Sequence, residues 1–193
     1  MKKIIFSLSI ITIIGIIFPT KAFAADSPAY GGKLDRSVNR VSTYIGSGAT
    51  NFQVLVLRAA DNWTSPGWTS RVNFAYSPNN KGTMLDIYCF PKSRFGDSTN
   101  IKGLTTWYDA SGKLIPWPSS GTYRYAMIEG NTNGLNQISI DRRTAVFAHE
   151  MGHAFGLDHN DSTTNSIMHG DTNLRALKVQ KADTNTVNKI YPN

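Results

Sequence analysis

Cysteine is almost missing: Cys89 is the only one in 193 residues. One thiol excludes an internal disulfide, so stability must come from a packed core and, where ligands exist, from metal. Cys89 itself reads as a small buried residue on a strand. A long apolar run is also missing. The longest, Ile4 to Phe18, spans 15 residues and stops at Pro19, short of the roughly 20 needed to cross a bilayer. Lys2 and Lys3 precede it and Ala22-Phe23-Ala24 follows it. That layout predicts a signal peptide over residues 1–24, cleaved after Ala24, and one exported domain over 25–193 with no stable membrane anchor. Clustered charge is missing too. Lys2, Lys3 and Lys21 supply three of the formal +7, so residues 25–193 carry +4, and no basic block exceeds two residues. Nucleic-acid binders carry a basic stripe, so no nucleic-acid partner is predicted, and the protein is expected to be a secreted monomer.

Histidine is scarce, with four in the chain, yet three fall within HEMGHAFGLDHN at 149–160. His149 and His153 are four apart, which puts both imidazoles on one face of a helix, one turn from each other. Gly156 lets the chain leave that helix through a left-handed residue. His159 then arrives three residues later. Catalytic zinc takes three protein ligands and leaves a fourth position for water. Glu150 directly follows the first ligand. A carboxylate there can take a proton from an acidified water and return it to a leaving amine. A glutamate inside an almost wholly apolar helix is costly without a partner, and a neighbouring dication supplies one.

The rest of the chain reads as a mixed sheet with helices packed on it. Residues 25–40 are polar and Gly-containing, which predicts a flexible or loosely docked N-terminus. VSTYI at 41–45 reads as a strand. Phe52, Leu55, Val56, Ala59 and Trp63 form one apolar helical stripe over 51–63. Strand-like runs follow at 71–76, 83–90, 104–109 and 123–129, each bounded by Gly, Asn or Pro. ISI at 138–140 reads as one more short strand. Asp141 is the expected N-cap of the helix carrying the histidines, and VQKADTNTVNKIY reads as a closing helix.

HEMGHAFGLDH followed by Ser166-Ile167-Met168 resembles the metzincin zinc endopeptidases, with their HExxHxxGxxH ligands and Met-turn. Asn160 after the third histidine, and the closing segment, are most similar to the matrixin branch, in particular its small secreted bacterial members. The resemblance implies an α+β fold: a twisted, mostly parallel mixed sheet packed on two helices, with a small C-terminal subdomain ending in a helix. It places an upper lobe at about 40–157 and a lower lobe at about 158–193. It implies one catalytic Zn2+ on His149, His153 and His159, Glu150 as general base and acid, and a protein or peptide substrate. Met168 would form a hydrophobic base under the metal. YRYAMIEGN at 123–131 is the expected edge strand that pairs with extended substrate. The loop within 169–177 would shape the S1′ pocket, which receives the side chain after the scissile bond, and His169 is a candidate lining residue.

Departures from the family are also legible. There is no PRCGxPD segment, so Cys89 inherits no latency role. Only His169 lies outside the catalytic string, so the family's second, structural zinc site must be absent or different, and calcium has no position that the sequence marks. Asp26 or Asp35 could cap the metal before processing, and Asp158 could orient a ligand. The alternative to an enzyme is a catalytically silent, zinc-stabilised peptide-binding module.

Overall fold

The computed structural model describes residues 26–192; the predicted signal peptide lies outside the described residues. In chain order the elements are β1 (Lys33–Leu34), β2 (Val41–Ile45), α1 (Gln53–Thr64), β3 (Phe74–Tyr76), β4 (Leu85–Phe90), β5 (Gly103–Tyr108), β6 (Leu114–Ile115), β7 (Thr122–Tyr123), β8 (Tyr125–Asn131), α2 (Thr132–Leu135), α3 (Ile140–Ala154) and α4 (Lys181–Ile190). Six strands form one sheet in the order β3-β2-β4-β8-β5-β6, and β1 pairs with β7 in a second, two-stranded sheet. The first four strands of the large sheet run parallel, and β5 and β6 pair antiparallel. This is the α+β architecture implied by the sequence, with a mostly parallel sheet carrying α1 and α3.

The apolar stripe of α1 is the packing surface. Val56, Ala59 and Trp63 are fully buried. The Trp63 indole N–H donates to the Ala148 carbonyl at 2.8 Å, tying α1 to α3. α3 is buried continuously from Thr144 to Ala154, as expected for a helix apolar on nearly every face. Its last carbonyls need donors from outside the helix. The Trp107 indole supplies one to His153 O at 3.1 Å, and the Tyr123 hydroxyl another to Ala154 O at 3.0 Å. Gly156 has φ +94°, and a Cβ there would come within 2.6 Å of Gly32 O, so both conformation and space demand glycine.

Several local expectations are corrected. ISI at 138–140 is no strand: Ile140 opens α3, and the N-cap is Ser139, whose hydroxyl accepts from Arg142 N. Three alternating residues with no strand left to pair with cannot outbid a cap two residues before Asp141, which instead sits in the first helical turn. The strand expected from residue 71 starts only at Phe74, because Arg71 N and Val72 N are bonded to the Asn188 and Ser70 side chains.

The N-terminal stretch is docked, not loose. Ser27, Tyr30, Leu34 and Val38 are buried. Tyr30 N donates to Gly156 O at 2.9 Å and Asp158 N to Pro28 O at 3.0 Å. The chain just past α3 has open backbone groups, and this segment satisfies them.

The largest correction concerns the sheet edge. The segment 123–131, expected at the rim, contains β8, which lies between β4 and β5 with both its edges paired. β5 pairs with β6 only at Trp107 and Tyr108. Gly103–Thr106 therefore presents an unpaired edge on the side of the sheet opposite β3. The six-residue register with β5 occupies the side of β8 nearer the cleft, and β4 occupies the other.

Candidate metal centre

α3 delivers two of the three histidines and the loop beyond Gly156 delivers the third. Ligand-capable atoms of His149, His153 and His159 all lie within 4.8 Å of one another, and no other such cluster occurs among the described residues. The hydrogen-bond partners fix the tautomers of two rings. His149 Nδ1 lies 2.8 Å from the Ile167 carbonyl, and His153 Nδ1 lies 2.9 Å from the Leu157 carbonyl. A carbonyl only accepts, so each Nδ1 carries the proton and each Nε2 offers a bare lone pair. That is the carbonyl-oriented arrangement of metal-binding histidine.

The spacing fits zinc. His153 Nε2 and His159 Nε2 are 3.2 Å apart. Two nitrogens bound at about 2.0–2.1 Å to a tetrahedral ion are separated by about 3.3–3.4 Å. Burial keeps the imidazoles neutral: it pushes His153 down to about 3 and His149 well below the ordinary range. Neutral imidazole is the ligating form.

Glu150 is 5% exposed. Burial raises its carboxyl to about 7, while the Thr105 hydroxyl and, from farther off, Arg175 pull it down. Thr105 Oγ1 is 2.8 Å from Glu150 Oε2 and 3.0 Å from the Glu150 carbonyl. Gly103, on the same strand, leaves the carboxyl room: a Cβ there would come within 2.7 Å of Oε1. β5 thus fits around Glu150 by hydrogen bonding at one position and by the absence of a side chain at another.

Met168 is fully buried. A Cβ added to Gly152, directly before His153, would run into its sulfur. The turn at Met168 therefore packs directly against the histidine-bearing stretch of α3. Asp183 of α4 pins that turn, accepting from Ser166 Oγ at 2.7 Å and Ile167 N at 3.1 Å. It also accepts from Ser27 Oγ at 2.5 Å and Gln180 N at 2.7 Å.

A cleft of about 410 Å³ joins these parts. The three histidines and Glu150 line it, with β5, Leu114–Trp117, Val146, Gly170, Thr172, Arg175 and Tyr30. His169 is not among these lining residues. It is buried, with Nδ1 accepting from Asp171 N at 3.0 Å. Asp158 meets His159 through the backbone, accepting from His159 N at 2.7 Å. Cys89 is buried on β4, outside cluster and cleft. Neither proposed metal cap reaches the histidines. Asp26 pairs with Lys189, and Asp35 with Arg124 and Arg36.

Tyr30, like Thr105, is a site residue that sequence reasoning missed. Its hydroxyl is 2.8 Å from His153 Nδ1, and its ring meets Trp107 and Trp117 edge-on. Nothing in the sequence spacing links residue 30 to residue 153; only the docking of the N-terminal segment does.

An α+β domain whose cleft holds three convergent imidazoles and a buried carboxylate defines a metal-dependent hydrolase. Comparison with known proteins gives the family. The Matrixin family matches residues 55–192, and the chain belongs to it: the protein is a zinc metalloendopeptidase of the metzincin type. Two solved structures of myroilysin share the fold at 13% identity and a TM-score of 0.50. One covers 86% of this chain and 92% of its own, the other 83% and 96%. No curated protein matches the sequence. No helix among the described residues is long and apolar enough to cross a membrane.

Proposed function

We propose that this zinc endopeptidase is secreted and acts as a monomer, with Glu150 moving the proton. His149, His153 and His159 would hold the metal through Nε2. Zinc, when bound, supplies Lewis acidity that acidifies a water and polarises a peptide carbonyl. Glu150 takes the proton of that water and returns it to the departing amine. Its carboxyl, raised to about 7 by burial, suits a group that must both accept and release a proton near neutrality. Thr105 holds Oε2, and Gly103 leaves space beside Oε1.

The observation that carries the reading is the convergence in one cleft of the bare Nε2 atoms, the buried carboxylate and the free edge Gly103–Thr106. Extended substrate pairs with that edge by strand addition, which supplies affinity without demanding one sequence. Leu114 to Trp117 continue the rim. The sequence of residues 1–24 supports export.

The test is metal removal and return. Dialysis against a chelator abolishes cleavage of a protein substrate such as casein, and stoichiometric Zn2+ restores it. Cleavage that survives complete removal of zinc, confirmed by metal analysis, overturns the reading. A zinc-loaded protein that binds peptides without cutting them would establish the silent binding module instead.

A further inference from the structure

Arg175 is the anomaly of the cleft. It is 6% exposed and lines the same cavity as the histidines, beside Val146, Gly170 and Thr172. Its Nη2 donates to the Gly170 carbonyl at 2.9 Å, and its Nε has no hydrogen-bond partner among the described residues. A guanidinium brings five donors in a fixed fork. Pinning the loop to Gly170 uses one of them. Burying a cation without a paired anion is strongly unfavourable, so a residue kept only to brace the loop would not carry this charge.

The surroundings deepen the positive character. Arg142 donates to the Thr172 carbonyl on the same loop, and its charge opposes that of Arg175. Glu150, Asp171 and Asp161 support the guanidinium from a distance, and burial still lowers it to about 10. Val146, one turn before His149, supplies an apolar wall, and Thr172 a hydroxyl. The part of the cleft that these residues line is a recess with an apolar wall and an under-satisfied guanidinium.

We propose that Arg175 makes this recess a receptor for a carboxylate, so that the protein cleaves preferentially where an Asp or Glu side chain enters beside the scissile bond. The segment 169–177 is the one expected to shape the pocket for the residue after that bond. This proposal rests on the endopeptidase reading above. The planar fork accepts a carboxylate through two parallel N–H donors. A site built around such donors rejects analogues that leave them unpaired.

The experiment uses zinc-loaded protein and matched peptides, amidated at the C-terminus, with Glu, Gln or Leu after the cleaved bond. A fourth peptide carries Gln with a free C-terminal carboxylate placed two residues on, which separates a side-chain carboxylate from a chain terminus as the ligand. The wild-type protein cleaves the Glu peptide with a kcat/KM about 10- to 100-fold above the Gln peptide. Arg175→Gln removes that preference, so that this variant cleaves its Glu and Gln peptides with equal kcat/KM whatever its basal rate, and Arg175→Lys retains part of it. Equal cleavage of the Glu and Gln peptides by wild type overturns the proposal. So does a preference that survives Arg175→Gln, or one that follows the free terminus alone. If no peptide is cut, the endopeptidase reading fails by itself. Calorimetry on zinc-loaded Glu150→Ala protein then decides the recess: tighter binding of the Glu peptide, lost with Arg175→Gln, supports it, and equal binding refutes it.

Discussion

Thr105→Val removes one hydroxyl and almost no volume, which makes it a sharp probe of how β5 serves Glu150. Thr105 and Glu150 are both about 95% buried, and the hydroxyl lies 2.8 Å from Glu150 Oε2. A hydrogen bond to a charged acceptor in such a place contributes about 1.5–3 kcal/mol. The bond favours the carboxylate over the carboxylic acid, so it lowers the pKa. Losing it raises the pKa and moves the acid limb of the kcat/KM profile to higher pH. One pKa unit corresponds to about 1.4 kcal/mol, so the limb moves by about one to two units. Near pH 7 the carboxylate is then less populated and less well oriented, and kcat/KM falls about 10- to 100-fold. The zinc content stays at wild-type level, because no histidine partner is touched. The assay is cleavage of a quenched fluorescent peptide from pH 5 to pH 9, with metal analysis of each sample. An unchanged kcat/KM and an unmoved acid limb would refute the reasoning.

Other residues give independent checks. Asp183→Asn replaces a carboxylate that accepts four hydrogen bonds with an amide that must turn donors toward donors. It should cost about 2–4 kcal/mol, a fall in Tm of about 5–15 °C. Because Ile167 both bonds Asp183 and orients His149, zinc affinity should drop about 10- to 100-fold, measured by chelator competition. Cys89 is pushed up to about 12 by burial. It should therefore stay unreactive to a thiol reagent at pH 8 and react fully once the chain is unfolded in guanidinium.

The motif was the most legible part of the chain because spacing alone determines it. Four residues make one helical turn, so His149 and His153 share a face wherever the helix lies. Gly156 and His159 follow from what the chain needs after a helix stop. The stripe from Phe52 to Trp63 was equally readable, since one face meets the core. Pairing partners were not. Whether β8 or β5 holds the rim depends on strand order, and both segments show the same alternation of apolar and aromatic residues. Long-range side-chain bonds were invisible for the same reason. Thr105 reaches a residue 45 positions away and Tyr30 one 123 positions away, and no local pattern encodes either. The N-terminal stretch misled because its polar composition resembles a tail, while Tyr30, Leu34 and Val38 are enough to bury it.

The central claim is that Glu150 performs the proton transfer while the three histidines hold the metal. Its most direct test is Glu150→Ala, purified with zinc and assayed for both metal content and cleavage of a protein substrate. The account predicts one zinc per chain, a circular dichroism spectrum like that of the wild type, and proteolysis reduced by about 100-fold or more. A zinc-loaded, folded Glu150→Ala protein with wild-type proteolysis would contradict it.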